Sequence, residues 1–485
     1  MAGMWTLTLL CALLGAASAG AILRPPAVLK LGPEVIRDRL MEELKKHNAK
    51  SILQKLPLLS AMREEPAGGI PLLSDIMGSI MKYIIGMKII SANILQPRVH
   101  PSSYDQELVV RIPLDMVVGF NTLLVSTLVE FHLMTEAQAL VRIEKSEKGP
   151  NRLALDFCSS SQNSLSVSLL KKLSFMLNPF ADKVTNLLMP ALPKVVNKQL
   201  CPVIQAAFND MYTDLLTLVQ APISLSPGGL QFDVLSLGIE HDSVEVQLKA
   251  ELLDSKARVT QSFNSSVASQ GEPIWDGAPF SLTLRQDVVN AIIEAMLPQE
   301  EFVFLLGFSS SHLDRELKKE IQEINKTAAE KLEPTQMVKV FMQQSPVLLL
   351  NQDSPKAAQQ FILDFLPNNK DDRPFFSLGI EANTEVQFYT ENERLRINFN
   401  DISCDRISLM ISDIGLFHAE HLDGVITKIL NSLLLPNQNE KMQAGIPIPL
   451  AKALGYSRAV WRVIEDSLRL APISSFWDPA SLSFW

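Results

Sequence analysis

The chain presents one pattern twice. On each side of a turn-rich midpoint near Pro227, a helical periodicity leads into alternating strand patterns and then returns to a helical periodicity. Such a duplication narrows the fold to two similar halves, each burying one face of a curled sheet beneath helices. At 485 residues the chain exceeds what one core serves, about 100–200 residues. Two or three domains are expected.

In the first half, Pro33 opens a helical stretch with Ile36, Leu40 and Leu44 on one face and Arg37, Glu42, Lys45 and Lys46 on the other. Its expected end is near Pro57. Residues 70–95 are apolar, rich in Ile and interrupted by Gly78 and Gly86, which suits strands better than one helix. Val129, Phe131 and Leu133 then alternate with Glu130 and His132. Val141 and Ile143 alternate with Arg142 and Glu144, and Leu165, Val167 and Leu169 alternate with serines. A period of two gives each strand one dry and one wet face. A second helical stretch carries Ile204, Phe208, Met211, Leu215 and Leu218, and Pro190, Pro193 and Pro202 should break or kink what precedes them.

Pro222, Pro227, Gly228 and Gly229 mark the crossing, followed by a strand through Val244, Val246 and Leu248. The second half repeats the order. Helical patterns occupy residues 288–297 and the face Leu313, Leu317, Ile321, Ile324 and Ala328. Strand patterns follow at 338–350, 378–389 and through Leu395, Ile397 and Phe399, and a helical pattern at 422–434 precedes a proline-interrupted tail.

Residues 2–23 carry no charge, and Ala17-Ser18-Ala19 offers the small-x-small pattern read by signal peptidase. A secreted product starting near Gly20 or Ala21 is expected. An uncleaved anchor is the competing reading, because the run is about long enough to span a bilayer and lacks an n-region Lys or Arg. No other stretch is apolar and charge-free enough to cross, so an integral membrane protein is not expected. Charge is uneven: residues 21–235 carry 22 Lys and Arg against 19 Asp and Glu, and residues 236–485 carry 22 against 34. Neither half has the clustered cations that nucleic-acid binding requires. The acidic second half suits solubility.

Without the leader, three cysteines remain. Cys158 ends the alternating stretch Leu153-Ala154-Leu155-Asp156-Phe157, and Cys201 lies in a helical pattern. A bridge between them would staple strand to helix, worth about 4 kcal/mol in the chain-entropy model. Cys404 is then left over, as a buried thiol or as one end of an intermolecular bridge. Asn264-Ser265-Ser266 and Asn325-Lys326-Thr327 are glycosylation sequons, expected at the surface of a secreted chain.

Chemistry-bearing motifs are scarce. Gly307-Phe308-Ser309-Ser310-Ser311-His312 lacks the second glycine of a nucleophile elbow. No phosphate loop or dinucleotide fingerprint occurs. His418-Ala419-Glu420-His421 has no third metal ligand nearby, and Glu64-Glu65 and Asp371-Asp372 read as solvated loop carboxylates. No catalytic residue, metal site or cofactor is expected. What remains is a surplus of apolar helix faces over curled sheets. Ordinary core packing accounts for such faces in most proteins, but long proline-kinked helices can bow away from a sheet and leave a slot. An acyl chain filling it would gain on the order of 10 kcal/mol before entropy costs, at roughly 0.8 kcal/mol per methylene.

Several stretches together resemble the bactericidal/permeability-increasing (BPI/LBP/PLUNC) family, in its long palate-lung-nasal-epithelium branch. They are Ala61-Met62-Arg63-Glu64-Glu65-Pro66-Ala67-Gly68-Gly69-Ile70-Pro71, Ile112-Pro113-Leu114-Asp115-Met116-Val117, Leu200-Cys201-Pro202-Val203-Ile204 and Leu433-Leu434-Leu435-Pro436-Asn437-Gln438-Asn439. The leader, the Cys158 to Cys201 pairing and the duplicated halves accompany them. The resemblance covers essentially the whole mature chain.

It implies an α+β fold, a pseudo-duplicated boomerang of two barrel-like domains, each a twisted antiparallel sheet with long helices, joined by a central sheet. The divisions expected are a signal peptide at 1–19, an N-terminal lipid-binding domain at 20–225, a central sheet or linker at 226–255 and a C-terminal domain at 256–485. It implies a non-enzymatic, secreted lipid-binding protein of mucosal or airway innate immunity, taking phospholipid or bacterial lipopolysaccharide into apolar pockets. By matching segment, Ile36, Leu40, Leu44, Ile204, Phe208 and Met211 are the candidate lining. One departure matters: the bactericidal members carry a strongly basic first domain, whereas cations near residues 37–55 are here interleaved with Asp38, Glu42 and Glu43. This favours modulating the response to bacterial products over direct killing. The alternatives are a structural or signalling component of secretions acting on host secreted proteins or the bacterial surface, and a lipid-transfer protein.

Overall fold

The computed structural model describes residues 23–63, 84–104, 106–123, 125–145, 151–160, 164–170, 178–267, 278–306, 311–331, 337–351, 354–366, 373–456, 459–464 and 466–472. The signal-peptide residues, residues 64–83, which hold much of one quoted stretch, and Asp371-Asp372 lie outside this set. The chain divides into two compact units. The first is Lys30–Val219 with Val234–Val246, and the second takes Met1–Leu29, Gln220–Asp233 and Gln247–Trp485.

In the first unit, helix α1 spans Pro33–Lys46, with proline in its first turn, Glu34 near its start and Lys45 and Lys46 in its last turn, matching the helix dipole at both ends. The sequence pattern pointed to an end near Pro57, but α1 stops at Lys46. Asn48 adopts a left-handed conformation (φ 53°), and two short helices follow, α2 (Ala49–Gln54) and α3 (Leu58–Arg63). Asparagine tolerates this geometry better than most residues, so it divides a pattern that looks continuous.

The sheet of this unit is built from β1 (Ile84–Ile94), β2 (Arg98–Pro101), β3 (Glu107–Thr122), β4 (Val125–Glu144), β5 (Arg152–Ser160) and β6 (Ser166–Leu169). Its order is β1-β3-β4-β5, with β2 on β3 and β6 on β4, all pairs antiparallel. Leu108, Val110, Ile112, Leu114, Met116, Val118 and Phe120 of β3 are buried, as are Val129, Phe131, Leu133, Ala137, Ala139 and Val141 of β4. Phe120 meets Phe131 edge to face at 5.5 Å between ring centroids.

Helix α4 (Asn178–Val195) runs through a π-helical turn at Val196–Leu200 into α5 (Cys201–Gln220). Pro190 and Pro193 lie within α4 without ending it. The wider turn falls just before Pro202, whose ring would clash with the carbonyl four residues back in a regular helix. There the Cys201 N–H donates to the carbonyl of Val196 instead.

The second unit repeats these parts. Strand β7 (Phe280–Arg285) pairs with Ser467–Pro472, which pairs in turn with Ala459–Ile464, so these two segments of the proline-interrupted tail are sheet. Helix α6 (Gln286–Met296) precedes β8 (Glu301–Leu305), α7 (Ser311–Ile324) and α8 (Lys326–Lys331). Then come β9 (Met337–Met342), β10 (Val347–Leu349), β11 (Lys356–Leu366), β12 (Phe376–Glu391) and β13 (Arg394–Ser412). The antiparallel order is β8-β9-β11-β12-β13, with β10 on β11. A 3-10 turn at Ala419–Leu422, α9 (Asp423–Ile429), a π-helical turn at Leu430–Leu434 and α10 (Leu435–Met442) close the unit. Phe365 stacks on Phe376 at 4.4 Å, and Phe417 meets Phe376 edge-on at 5.7 Å. Also in this unit, Gly228 (φ +92°) follows Pro227 so tightly that a Cβ there would lie 2.2 Å from the Leu253 carbonyl oxygen; only glycine fits the turn.

Candidate functional site

Among the described residues nothing resembles a nucleophile with its base. Residues 307–310 lie outside the described set, and His312 pairs with Glu316 on its own helix at 3.5 Å. His418 and His421 are both exposed, their rings 6.2 Å apart. The substantial feature of the first unit is its apolar layer between helices and sheet.

On α1, Ile36, Leu40 and Leu44 follow at four-residue intervals and are all buried, Leu40 completely. On α5, Ile204, Phe208, Met211 and Leu215 form the matching buried stripe. Each fully buried side chain of this size contributes about 1.5–3 kcal/mol relative to exposure. The two helices are joined at their polar edges, where Nε2 of His47 lies 2.8 Å from Oδ2 of Asp210. On the outward side of α1 three of its four cations have carboxylate partners: Arg37 pairs with Asp38, Arg39 with Glu42, and Lys46 with Glu43. Most of its cations are thus engaged by neighbouring carboxylates, as the interleaved sequence suggested.

Cys158 and Cys201 are joined, with Cα atoms 5.6 Å apart, tying β5 to the first residue of α5. A bulge makes this reach possible. Leu153 and Leu155 face inward, but the register of β4 against β5 shifts between Gln138 and Leu140, and Phe157 adopts φ 51°. Phe157 is therefore 70% exposed, with the Arg142 guanidinium 4.8 Å above its ring, while Ser160 is buried. Simple alternation would have placed Phe157 in the core.

Cys404 is half-buried, and its sulfur accepts a hydrogen bond from the Thr427 hydroxyl at 3.4 Å. Burial pushes its thiol up to about 11, the Thr427 bond only partly opposing it. Asn264 is exposed. Asn325 is half-buried: its Nδ2 donates to the Ile414 carbonyl (2.9 Å), and its Oδ1 accepts from the Thr327 hydroxyl (2.7 Å) and backbone N–H (3.1 Å).

The sequence reading missed a buried polar chain in the second unit. Nε2 of Gln438 donates to Oε1 of Gln359 (2.8 Å), whose own Nε2 donates to the Thr384 hydroxyl (2.6 Å). All three residues are at most 2% exposed. In the sequence Gln438-Asn439 stands out only as part of a resembling stretch, and Gln359 and Gln360 are alike in type although only Gln359 turns inward.

The two halves match family models for the LBP/BPI/CETP N-terminal domain over residues 43–211 and the LBP/BPI/CETP C-terminal domain over residues 278–471. The chain belongs to this family and carries its lipid-binding fold. It is 55% identical to BPI fold-containing family B member 1 of Mus musculus, covering 98% of this chain and 100% of that one. It is 52% identical to the same-named protein of Homo sapiens, over 99% of each chain. The crystal structure of lipopolysaccharide binding protein aligns with a TM-score of 0.54 over 93% of this chain and 98% of that one; at 14% identity this likeness concerns the fold. Among the described residues no helix is long and apolar enough to cross a membrane.

Proposed function

We propose that the chain is a secreted, non-enzymatic lipid-binding protein of mucosal innate defence. It takes the acyl chains of phospholipid or lipopolysaccharide between the long helices and the curled sheet, and so modulates the host response to bacterial products. The observation that carries this reading is the continuous apolar layer under α1 and α5, centred on Leu40, Leu44, Ile204 and Phe208, in a family fold that binds lipid. The paired cations of α1 favour recognition by buried apolar area over recognition by charge. Glycans on Asn264 and Asn325 belong to the same reading, and of the two asparagines Asn264 is the more accessible.

Native mass spectrometry of protein from mammalian cells, followed by lipid extraction, tests the proposal. Stoichiometric phospholipid or lipid A is expected, and Leu40→Trp, whose larger side chain would obstruct a slot beneath α1, should abolish it. Protein that carries no lipid and takes up none from vesicles would redirect the function to protein partners. Movement of bound lipid between vesicle populations would instead make it a transfer protein.

A further inference from the structure

At the edge where α1 meets α5, three metal-ligating side chains converge. Glu43 and His47 are one turn apart on α1 and at its C-terminal cap, and Asp210 faces them from α5; one ligand atom of each lies within 4.8 Å of the others. Glu43 is 6% exposed, an uncommon position for a carboxylate on an amphipathic helix. The surrounding charge is unbalanced. Three carboxylates face one ammonium here: Lys46 lies 2.5 Å from Glu43 and 3.8 Å from Asp214, and Asp210 is met by the His47 imidazole. Two negative charges beside an imidazole are left for another cation to neutralise.

We propose that Glu43, His47 and Asp210 form a zinc site that clamps α1 to α5. One imidazole nitrogen and two carboxylate oxygens, with water in the fourth position, are a ligand set suited to Zn²⁺, at about 2.0–2.2 Å from each atom. Modest side-chain rotation draws the three atoms to that spacing, and the ion displaces the exposed Lys46 ammonium from Glu43. Calcium and magnesium prefer more oxygen ligands than are present and should not compete. Leu40 precedes the site on α1, Leu44 lies between its two ligands there, and Phe208 and Met211 flank Asp210 on α5. Zinc would therefore fasten together the two helices that cover the apolar layer, whether or not that layer holds lipid.

The test is zinc titration of untagged, chelator-treated full-length protein, by calorimetry or a competing zinc indicator, with far-UV circular dichroism confirming the fold of each variant. One zinc per chain is expected. His47→Ala and Asp210→Asn should each weaken it by about tenfold or more, whereas Lys46→Ala, which removes the competing ammonium, should tighten it. Asp210→Asn changes an exposed, isosteric group and keeps the test open if His47→Ala fails to fold. Absence of stoichiometric uptake by the unaltered chain, or uptake that folded His47→Ala or folded Asp210→Asn retains undiminished, overturns the site.

Discussion

The helix that closes each unit passes through the same local device, and the two copies diverge in how it is held. In the first unit the π-helical turn Val196–Leu200 leads to Cys201-Pro202, and in the second Leu430–Leu434 leads to Leu435-Pro436. Both turns carry an asparagine at their second position that bonds the neighbouring sheet. Asn197 accepts from the Ser160 N–H at 2.6 Å, and Asn431 accepts from the Ile402 N–H at 2.9 Å. Beyond this shared anchor, the first unit adds the Cys158–Cys201 bond. The second has Leu435 where Cys201 stands, and instead uses Asn439, which accepts from the Phe399 N–H and donates to the Phe399 carbonyl, both at 2.9 Å. The residues four beyond the last residue of each π turn, Ile204 and Gln438, are both fully buried. One duplicated frame thus places apolar Ile204 behind a covalent staple in one copy and polar Gln438 beside a second amide clamp in the other.

Breaking the covalent staple should give the largest effect. Cys158→Ser with Cys201→Ser is expected to cost about 4 kcal/mol, because the loop it closes, 43 residues in sequence separation, regains its freedom in the unfolded chain. Hydrogen exchange should show residues 201–220 losing protection while residues 435–442 keep theirs. Equal loss in both would mean that the two units do not hold their helices independently.

The amide clamps sharpen the comparison at a lower magnitude. Asn431→Ala also removes Nδ2 donations to the carbonyls of Ile402 (2.9 Å) and Thr427 (3.1 Å), and should cost about 2–3 kcal/mol in chemical denaturation. Asn197→Ala should cost about 1 kcal/mol while the disulfide is intact and more once it is removed. The two features share one turn, so their effects should not add.

Gln438→Met should cost about 2 kcal/mol by leaving Oε1 of Gln359 without its donor, whereas Gln359→Met combined with Gln438→Met should recover much of that loss. A double variant no more stable than the single would show that the chain ending at Thr384 depends on Gln359 itself.

Much of this frame was legible in the sequence because periodicity reports burial. The α1 and α5 faces and the alternation in β4 and β13 translate directly into buried residues. Two long strands were less visible. In β3, Val109 and Val117 stand on the less buried side and Pro113 lies mid-strand, which blurs the alternation. In β11, Gln359 points inward and Ile362 is more exposed than its neighbours, the reverse of what polarity predicts. The bulge at Phe157 and the break at Asn48 depend on positive φ values that the surrounding pattern does not announce. The Glu43, His47 and Asp210 cluster was invisible for another reason: Asp210 is far in sequence from the Glu43 and His47 pair, and only the packing of α5 beside the end of α1 brings the three together.

Cys404 supplies the smallest effect and separates its two readings. With its thiol raised to about 11 by burial, the folded chain should hold on the order of one thiolate in a thousand at pH 8, against about one in four for an unperturbed cysteine. Native-state alkylation by iodoacetamide should therefore be slow near neutrality and rise about tenfold per pH unit toward pH 10, whereas urea-unfolded protein should react at once. The stability linkage has a definite sign. Because the folded state favours the neutral thiol, this contribution is intact below about pH 8.5, where the unfolded cysteine begins to ionise, and is lost as pH rises toward 11. Thr427→Val removes the hydroxyl that partly stabilises the thiolate and should slow alkylation further. A disulfide-linked dimer forming readily at neutral pH and disappearing in Cys404→Ser would reverse this assignment, because a thiol so seldom ionised attacks a partner slowly.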